Sequence, residues 1–409
     1  MTGDTVENRL INAHRLLDRI RTWEGIDMAQ IELQIDELPP LPFSGERLTL
    51  ARNAAKMTIT DLARATSMST NTVTSWEAGT SRPTRRGALR KLCAALNVLP
   101  EFFLPVGLTS SKNEPFFRSM RNITTLDQDH ARAYGRYVGD VFDYLNKVLE
   151  FRQADIPTYP VGWDESTSHS PELAAQFVRR QLSLPPGPAP HMIHLVERLG
   201  IIVAFALLEE NEDEISEKID AYSMPLEDRA VMVLNPGGDY YRQRFDVAHE
   251  LGHIVMHADA PSRGRVFENQ AHRFASEFLM PASDIVDQLP SVTTKGGWTL
   301  LAILKERWLV SQQALLRRSH DLGKMTDVTY KNAMSTITTR RWRMAEPGRQ
   351  TEVEHTSLLH LAIGELERTG TTRVSMNRAI GMPSEYFDAI VAEVSLGNKH
   401  ARQDGMLSH

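Results

Sequence analysis

Phe245-Asp246-Val247-Ala248-His249-Glu250-Leu251-Gly252-His253-Ile254-Val255-Met256-His257 decides how the larger part of this 409-residue chain is read. A helical period places His249 and His253 one turn apart on one face, where both imidazoles reach a single ion. Glu250 adjoins both but is poorly placed to bind the same ion, which suits a general base. Zinc is the metal these residue types favour, and it needs a third protein ligand while keeping a position open. His257 does not qualify, because at ~1.5 Å rise per residue it lies ~12 Å along the axis from His249. The metzincin spacing fails too, since it needs Gly where Met256 stands and His where Asp259 stands.

The third ligand is therefore expected on the next strongly helical segment, Val266 to Pro281, which offers Glu268, His272 and Glu277. Glu268 shares a face with Ala271 and Ala275, small residues that permit the close helix approach a shared metal demands. A His249-His253-Glu268 site results. His272, one turn on, reads as a partner of the ligands or a competing ligand, and Glu277 falls off that face. Arg242 and Arg244 read as structural salt-bridging residues, with orientation of a substrate carbonyl as the other role.

A second pattern lies upstream. Between Met57 and Pro83, Ile59, Leu62 and Ala63, then Met68, Val73 and Trp76, fit two short helices sharing a core across a tight turn. Ser69 suits an N-cap of the second helix and Gly79 its stop. With Val73 and Trp76 inward, Thr70, Asn71, Thr74 and Ser75 face outward, and with Ser69 they make the candidate reading surface for the major groove of double-stranded DNA. Arg82, Arg85 and Arg86 are placed as phosphate clamps.

Charge agrees with that division. The whole chain carries a net charge of -6, yet 45–105 hold nine basic residues against four acidic, a local +5. One cysteine, Cys93, excludes an intrachain disulfide and a Cys-based zinc finger. Neither a signal-peptide core nor a membrane span of ~18 apolar residues is found, so a cytoplasmic protein without membrane association is expected. Ile201–Phe205 and Ala230–Leu234 read as short buried strands. Proline clusters and linkers then suggest five segments: an N-terminal helical extension at 1–44, a helix-turn-helix domain at 45–105, a helical linker at 106–160, an α+β domain with a small sheet at 161–290, and a helical C-terminal domain at 291–409. The expected class is α+β, mostly α.

Thr58-Ile59-Thr60-Asp61-Leu62-Ala63 through Ser69-Thr70-Asn71-Thr72-Val73-Thr74-Ser75-Trp76-Glu77-Ala78-Gly79 resembles the Cro/C1-type (Xre) repressor family, whose helix-turn-helix domain is lambda-repressor-like. That family usually has a polar residue, often Gln, where this chain has Ile59, so the contact is either lost or taken over by Thr60. The run from Arg242 to His253, followed by Glu268-Asn269-Gln270-Ala271, Phe274-Ala275 and Leu279-Met280-Pro281, resembles the ImmA/IrrE family of intracellular zinc peptidases. Such domains often follow an Xre-type domain on one chain. Asp220-Ala221-Tyr222-Ser223, Asn235 and the segments from Leu304 and from His320 extend the likeness.

The resemblance implies a zincin-like domain holding Zn2+ through His249, His253 and Glu268, with Glu250 as catalytic base. It also implies a protein substrate, a repressor or antitoxin cut in a stress or phage-related response, and a homodimer on operator DNA. Two other function classes stay open: a transcription factor whose peptidase-like pocket senses zinc or a ligand without turnover, and an antitoxin-like partner on its own promoter.

Overall fold

The helical signals between Ser44 and Leu96 become four helices in the computed structural model: α1 (Gly45–Ala54), α2 (Ile59–Thr66), α3 (Thr70–Glu77) and α4 (Ala88–Leu96). The described residues are 42–84, 87–105, 116–117, 124–164, 169–206, 221–236, 240–258, 264–342, 346 and 354–392. The expected N-terminal helix in 1–38 and the clamps Arg85 and Arg86 lie outside them, as do Asp220 and Arg343.

Contacts divide the chain into two units. One draws on 1–109, 123–150 and 362–389, the other on 110–122, 151–361 and 390–409. The expected segments 106–160 and 291–409 therefore each contribute to both.

In the first unit, local capping sets the helix-turn-helix. Thr58 accepts from Asp61 N at 3.2 Å while the Asp61 carboxylate accepts from Thr58 N at 3.1 Å, a reciprocal cap that starts α2. Ser69 accepts from Thr72 N at 3.1 Å and starts α3. At the end of α3, Gly79 takes a left-handed φ of 68° and its N–H returns to Trp76 O. Leu48, Leu62, Val73, Trp76 and Leu92 are buried between the four helices.

That core is completed by a 25-residue helix, α5 (Thr125–Leu149), and by helices at Arg373–Ile380 and Ser384–Val391. Arg47, buried in α1, donates to Asp140 of α5 at 2.5 Å and to Phe102 O at 2.9 Å, so its charge is paired where water cannot reach it. Tyr386 closes the other side by donating to Ala54 O at 2.7 Å.

The second unit is built on a four-stranded sheet of β1 (Phe116–Phe117), β2 (Ile202–Phe205), β3 (Ala221–Pro225) and β4 (Ala230–Leu234), in the order β1-β3-β4-β2. β3 pairs antiparallel with β1 and β4, and β2 pairs parallel with β4. The apolar runs of β2 and β4 are buried throughout, as a strand covered on both faces requires. α6 (Pro171–Gln181) and α7 (Met192–Arg198) precede β2. α8 (Tyr240–His257) follows β4 and packs on β3 and β4.

Apart from Arg242 and Phe245, every residue of α8 is buried, so any polar group it carries must find a partner inside the protein. α9 (Arg265–Leu279) lies between α8 and α6, and α10 (Lys295–Trp308), α11 (Gln312–Asp321) and α12 (Asp327–Thr339) complete the unit. The N-terminus of α11 is capped from a distance: Glu346 accepts from Gln312 N at 2.8 Å and Gln313 N at 3.2 Å and pairs with buried Lys305.

Candidate metal centre and nucleic-acid face

α8 presents His249 and His253 from consecutive turns, both inaccessible to solvent, with their Nε2 atoms 3.1 Å apart. From α9, Glu268 places Oε2 3.4 Å from His249 Nε2 and Oε1 3.4 Å from His253 Nε2. An ion ~2.0–2.1 Å from each of three donors at tetrahedral angles requires the donors to be ~3.3–3.4 Å apart. Each histidine lies at that distance from one oxygen of the carboxylate and the two Nε2 atoms are slightly closer, so the group converges on about those dimensions, and two imidazoles with one carboxylate are a donor set that suits zinc. Among the described residues it is the one His, Cys, Asp and Glu group whose ligand atoms converge this way.

Burial alone would raise the Glu268 carboxyl, but hydrogen bonds and charge from His249 and His253 outweigh it and hold the group well below the usual carboxylate range. Glu268 is about one-third exposed, so the triangle has a side toward solvent.

Glu250 is fully buried beside the ligands. Its Oε2 accepts from Ser223 Oγ of β3 at 2.7 Å, which ties the carboxylate to the sheet. His257 Nδ1 lies 3.0 Å from His253 Nδ1, and its Nε2 lies 2.9 Å from Gln270 Oε1 of α9. Burial first, then the neighbouring His253, pushes His257 down to about 3.

His272 packs edge-on against His249, ring centroids 4.7 Å apart, and is outside the converging group. Glu277 is buried and structural: it pairs with Arg318, accepts from Gln176 at 2.9 Å and lies beside Ala282 N. Arg244 likewise serves the fold, donating to the carbonyls of Ala189, Pro190 and Leu309 and pairing with Glu354.

In the other unit, Thr60, Ser69, Thr70, Asn71, Thr74 and Arg82 are exposed and Ser75 is half-buried. Two of these side chains are already engaged by the helix itself: Ser69 caps it, and Thr74 Oγ1 donates to Thr70 O at 3.0 Å. Thr70 and Asn71, on the first turn, are the outward groups best placed to meet base edges. The local +5 overstates the basic surface, because Arg47 is buried and spent on Asp140, outside that stretch, whereas the Arg52–Glu77 pair, held by two bonds of 2.6 and 3.1 Å, already cancels within it.

Residues 45–101 match the helix-turn-helix domain family, and residues 196–320 match the family described as IrrE N-terminal-like domain. The chain joins a helix-turn-helix domain to an IrrE-like peptidase domain. No curated protein matches it. The IrrE-like match spans β2 through α11 and includes His249, Glu250, His253 and Glu268.

Within the IrrE-like domain, sequence reasoning had no role for Gln270 and no chemical one for Ser223, and it removed His257 from the site altogether. The partners of Gln270 and Ser223 are on other elements, so spacing along the chain carries no sign of them. The i, i+4 relation of His253 and His257 was the one available signal: it excludes a shared ion with His249 but allows contact between neighbouring rings.

Proposed function

We propose that the chain is a DNA-binding transcriptional regulator whose IrrE-like domain is a zinc-dependent endopeptidase. It reads an operator in double-stranded DNA as a cytoplasmic homodimer and cuts one protein partner, a repressor or antitoxin, in a stress or phage-related response. The observation that carries the enzymatic reading is the convergence of His249, His253 and Glu268, the two Nε2 atoms 3.1 Å apart and each 3.4 Å from one of the two Glu268 oxygens, with a buried carboxylate, Glu250, on the histidines' helix.

His249, His253 and Glu268 are the residues that would hold the metal. Bound there, zinc supplies the Lewis acidity that activates a water and polarises the scissile carbonyl. Glu250 takes the proton from the attacking water and passes it to the departing amide nitrogen. Ser223 restrains that carboxylate during both transfers, and the low-dielectric surroundings of α8 strengthen each of these interactions.

Asn71 and Thr70 read base edges, while Arg82 contacts phosphate and positions the helix without specifying sequence. A dimer would engage two half-sites about one helical turn, ~34–36 Å, apart. Among the described residues no helix is long and apolar enough to cross a membrane.

Metal analysis of the purified chain tests the site. One zinc per chain, lost in His253→Ala, supports it; substoichiometric zinc that His253→Ala leaves unchanged refutes it.

A further inference from the structure

α12 ends in a turn that sends the chain back over the helix. Arg341 takes a left-handed φ of 56°, its N–H returns to Thr338 O at 3.0 Å, and the Trp342 N–H returns to Ile337 O at 3.0 Å. That closure packs Trp342 against the core of the second unit with part of its ring still exposed. α10 supplies a second half-buried indole. Thr294 starts the helix by accepting from Gly297 N at 3.3 Å, and Trp298 follows Lys295 by one turn. The two rings meet edge to face, with centroids 5.3 Å apart and planes at 82°.

Both indoles line a cleft of about 610 Å³, together with Lys295, Arg340 and Gln312. Each indole comes with a cation. The Arg340 guanidinium carbon lies 4.8 Å from the centre of the Trp342 ring, and Lys295 is exposed on the first turn of α10. Among the described residues neither cation is in an ion pair, and no carboxylate lines the cleft. Glu346, which accepts from the Gln312 N–H, has its charge answered by buried Lys305. Gln312 is itself 1% exposed, and its side-chain oxygen has no hydrogen-bond partner among the described residues. Left alone the arrangement is unfavourable: two like charges share one cleft, indole surface faces water, and a buried amide is short of a bond.

We infer that this cleft is a binding site, separate from the metal centre, for a small flat ring that carries an anionic group. The indoles offer π-surface that accepts any aromatic ring. Lys295 and Arg340 take the anion through charge-assisted hydrogen bonds. Gln312 meets a polar edge of the ring, since a half-turn of its amide exchanges donor for acceptor. The volume is in the range of roughly 300–1,000 Å³ that small ligands occupy. A purine mononucleotide and an aromatic carboxylate share this chemistry, and the purine adds the N–H edge that the Gln312 oxygen needs. No residue of α8 or α9 lines the cleft, so the site stands or falls apart from the metal reading.

Calorimetric titration of the purified full chain tests the inference with AMP and salicylate as probes and with adenosine and salicylamide as their uncharged counterparts. At least one probe is expected to bind, about tenfold or more tighter than its counterpart. Binding by AMP alone assigns the cleft to a nucleotide, and binding by salicylate alone assigns it to an aromatic carboxylate. Arg340→Gln changes an exposed side chain and leaves the fold intact; it should weaken that binding about tenfold or more. Trp342→Ala should weaken it roughly 5–150-fold. No binding of either probe at about 1 mM overturns the inference. So does equal binding of the uncharged counterpart, or native affinity in both variants. A single-stranded oligonucleotide that displaces the probe and binds more than about tenfold tighter also overturns it, because the cleft would then serve a nucleic-acid strand.

Discussion

Phe274 of α9 occupies the space where Gly252 of α8 has no side chain: a Cβ at Gly252 would lie 2.9 Å from Cδ1 of the ring and 3.1 Å from Cγ. The glycine between Leu251 and His253 is thus a packing requirement. It lets α9 approach α8 closely enough for Glu268 to reach both histidines.

Gly252→Ala should therefore cost stability although alanine favours helices. Forcing a methyl into that contact is expected to cost about 1–3 kcal/mol. Gly296, in the first turn of α10 with nothing nearer than Thr294 Oγ1 at 3.9 Å, is the control, and alanine there should be neutral or stabilising. Chemical denaturation of both variants checks the contrast; equal effects would mean the α8–α9 contact is not under constraint.

Ser223→Ala removes the hydroxyl that donates to Glu250 Oε2. A hydrogen bond to a charged group contributes about 1.5–3 kcal/mol. Turnover of the protein partner should fall about tenfold or more, with zinc content unchanged. Ser223→Thr keeps the hydroxyl and should retain most of the rate. Rate measurements on metal-loaded variants decide it, and an alanine variant as fast as native would remove Ser223 from the mechanism.

His191 gives the second unit a pH response outside the metal centre. Burial first, then repulsion from His194, His355 and Arg244, pushes it down to about 4, below the ordinary value of ~6.5. Glu354 Oε2, 3.6 Å from His191 Nδ1, does not offset this, because that carboxylate already pairs with Arg244. Between those two values the unfolded chain binds a proton the folded chain refuses. Its stabilising contribution is present above ~6.5 and is lost as pH falls toward about 4. Denaturation midpoints at pH 7 and pH 5 should drop more for the native chain than for His191→Gln; parallel drops would assign the acid response elsewhere.

How much of this could be read from the chain depends on where each residue finds its partner. β2 and β4 were legible because continuous apolar runs of strand length have few other uses. β3 was not: Ala-Tyr-Ser-Met-Pro becomes a strand only through its pairing with β4, and that pairing is what brings Ser223 to Glu250. The helix-turn-helix was legible because its caps, Thr58, Ser69 and Gly79, act within a few residues of themselves. The completion of its core by α5 and by 362–389 was not, since an amphipathic face announces that it will be buried but not against what. His257 shows the same limit inside the site: rise per residue excluded it from the ion and its spacing allowed the contact with His253, but nothing along the chain could show that Gln270 of α9 meets its other nitrogen.

On the proposed function, Glu250 is the residue that makes this metal centre a peptidase. Its most direct test is a comparison of protein N-termini in cells expressing the native chain and in cells expressing Glu250→Gln, with zinc content and DNA binding of the two proteins measured alongside. At least one new N-terminus is expected that depends on the native chain and disappears with Glu250→Gln, while zinc and DNA binding are equal. The same cleavage in both cells, or none in either, would contradict it.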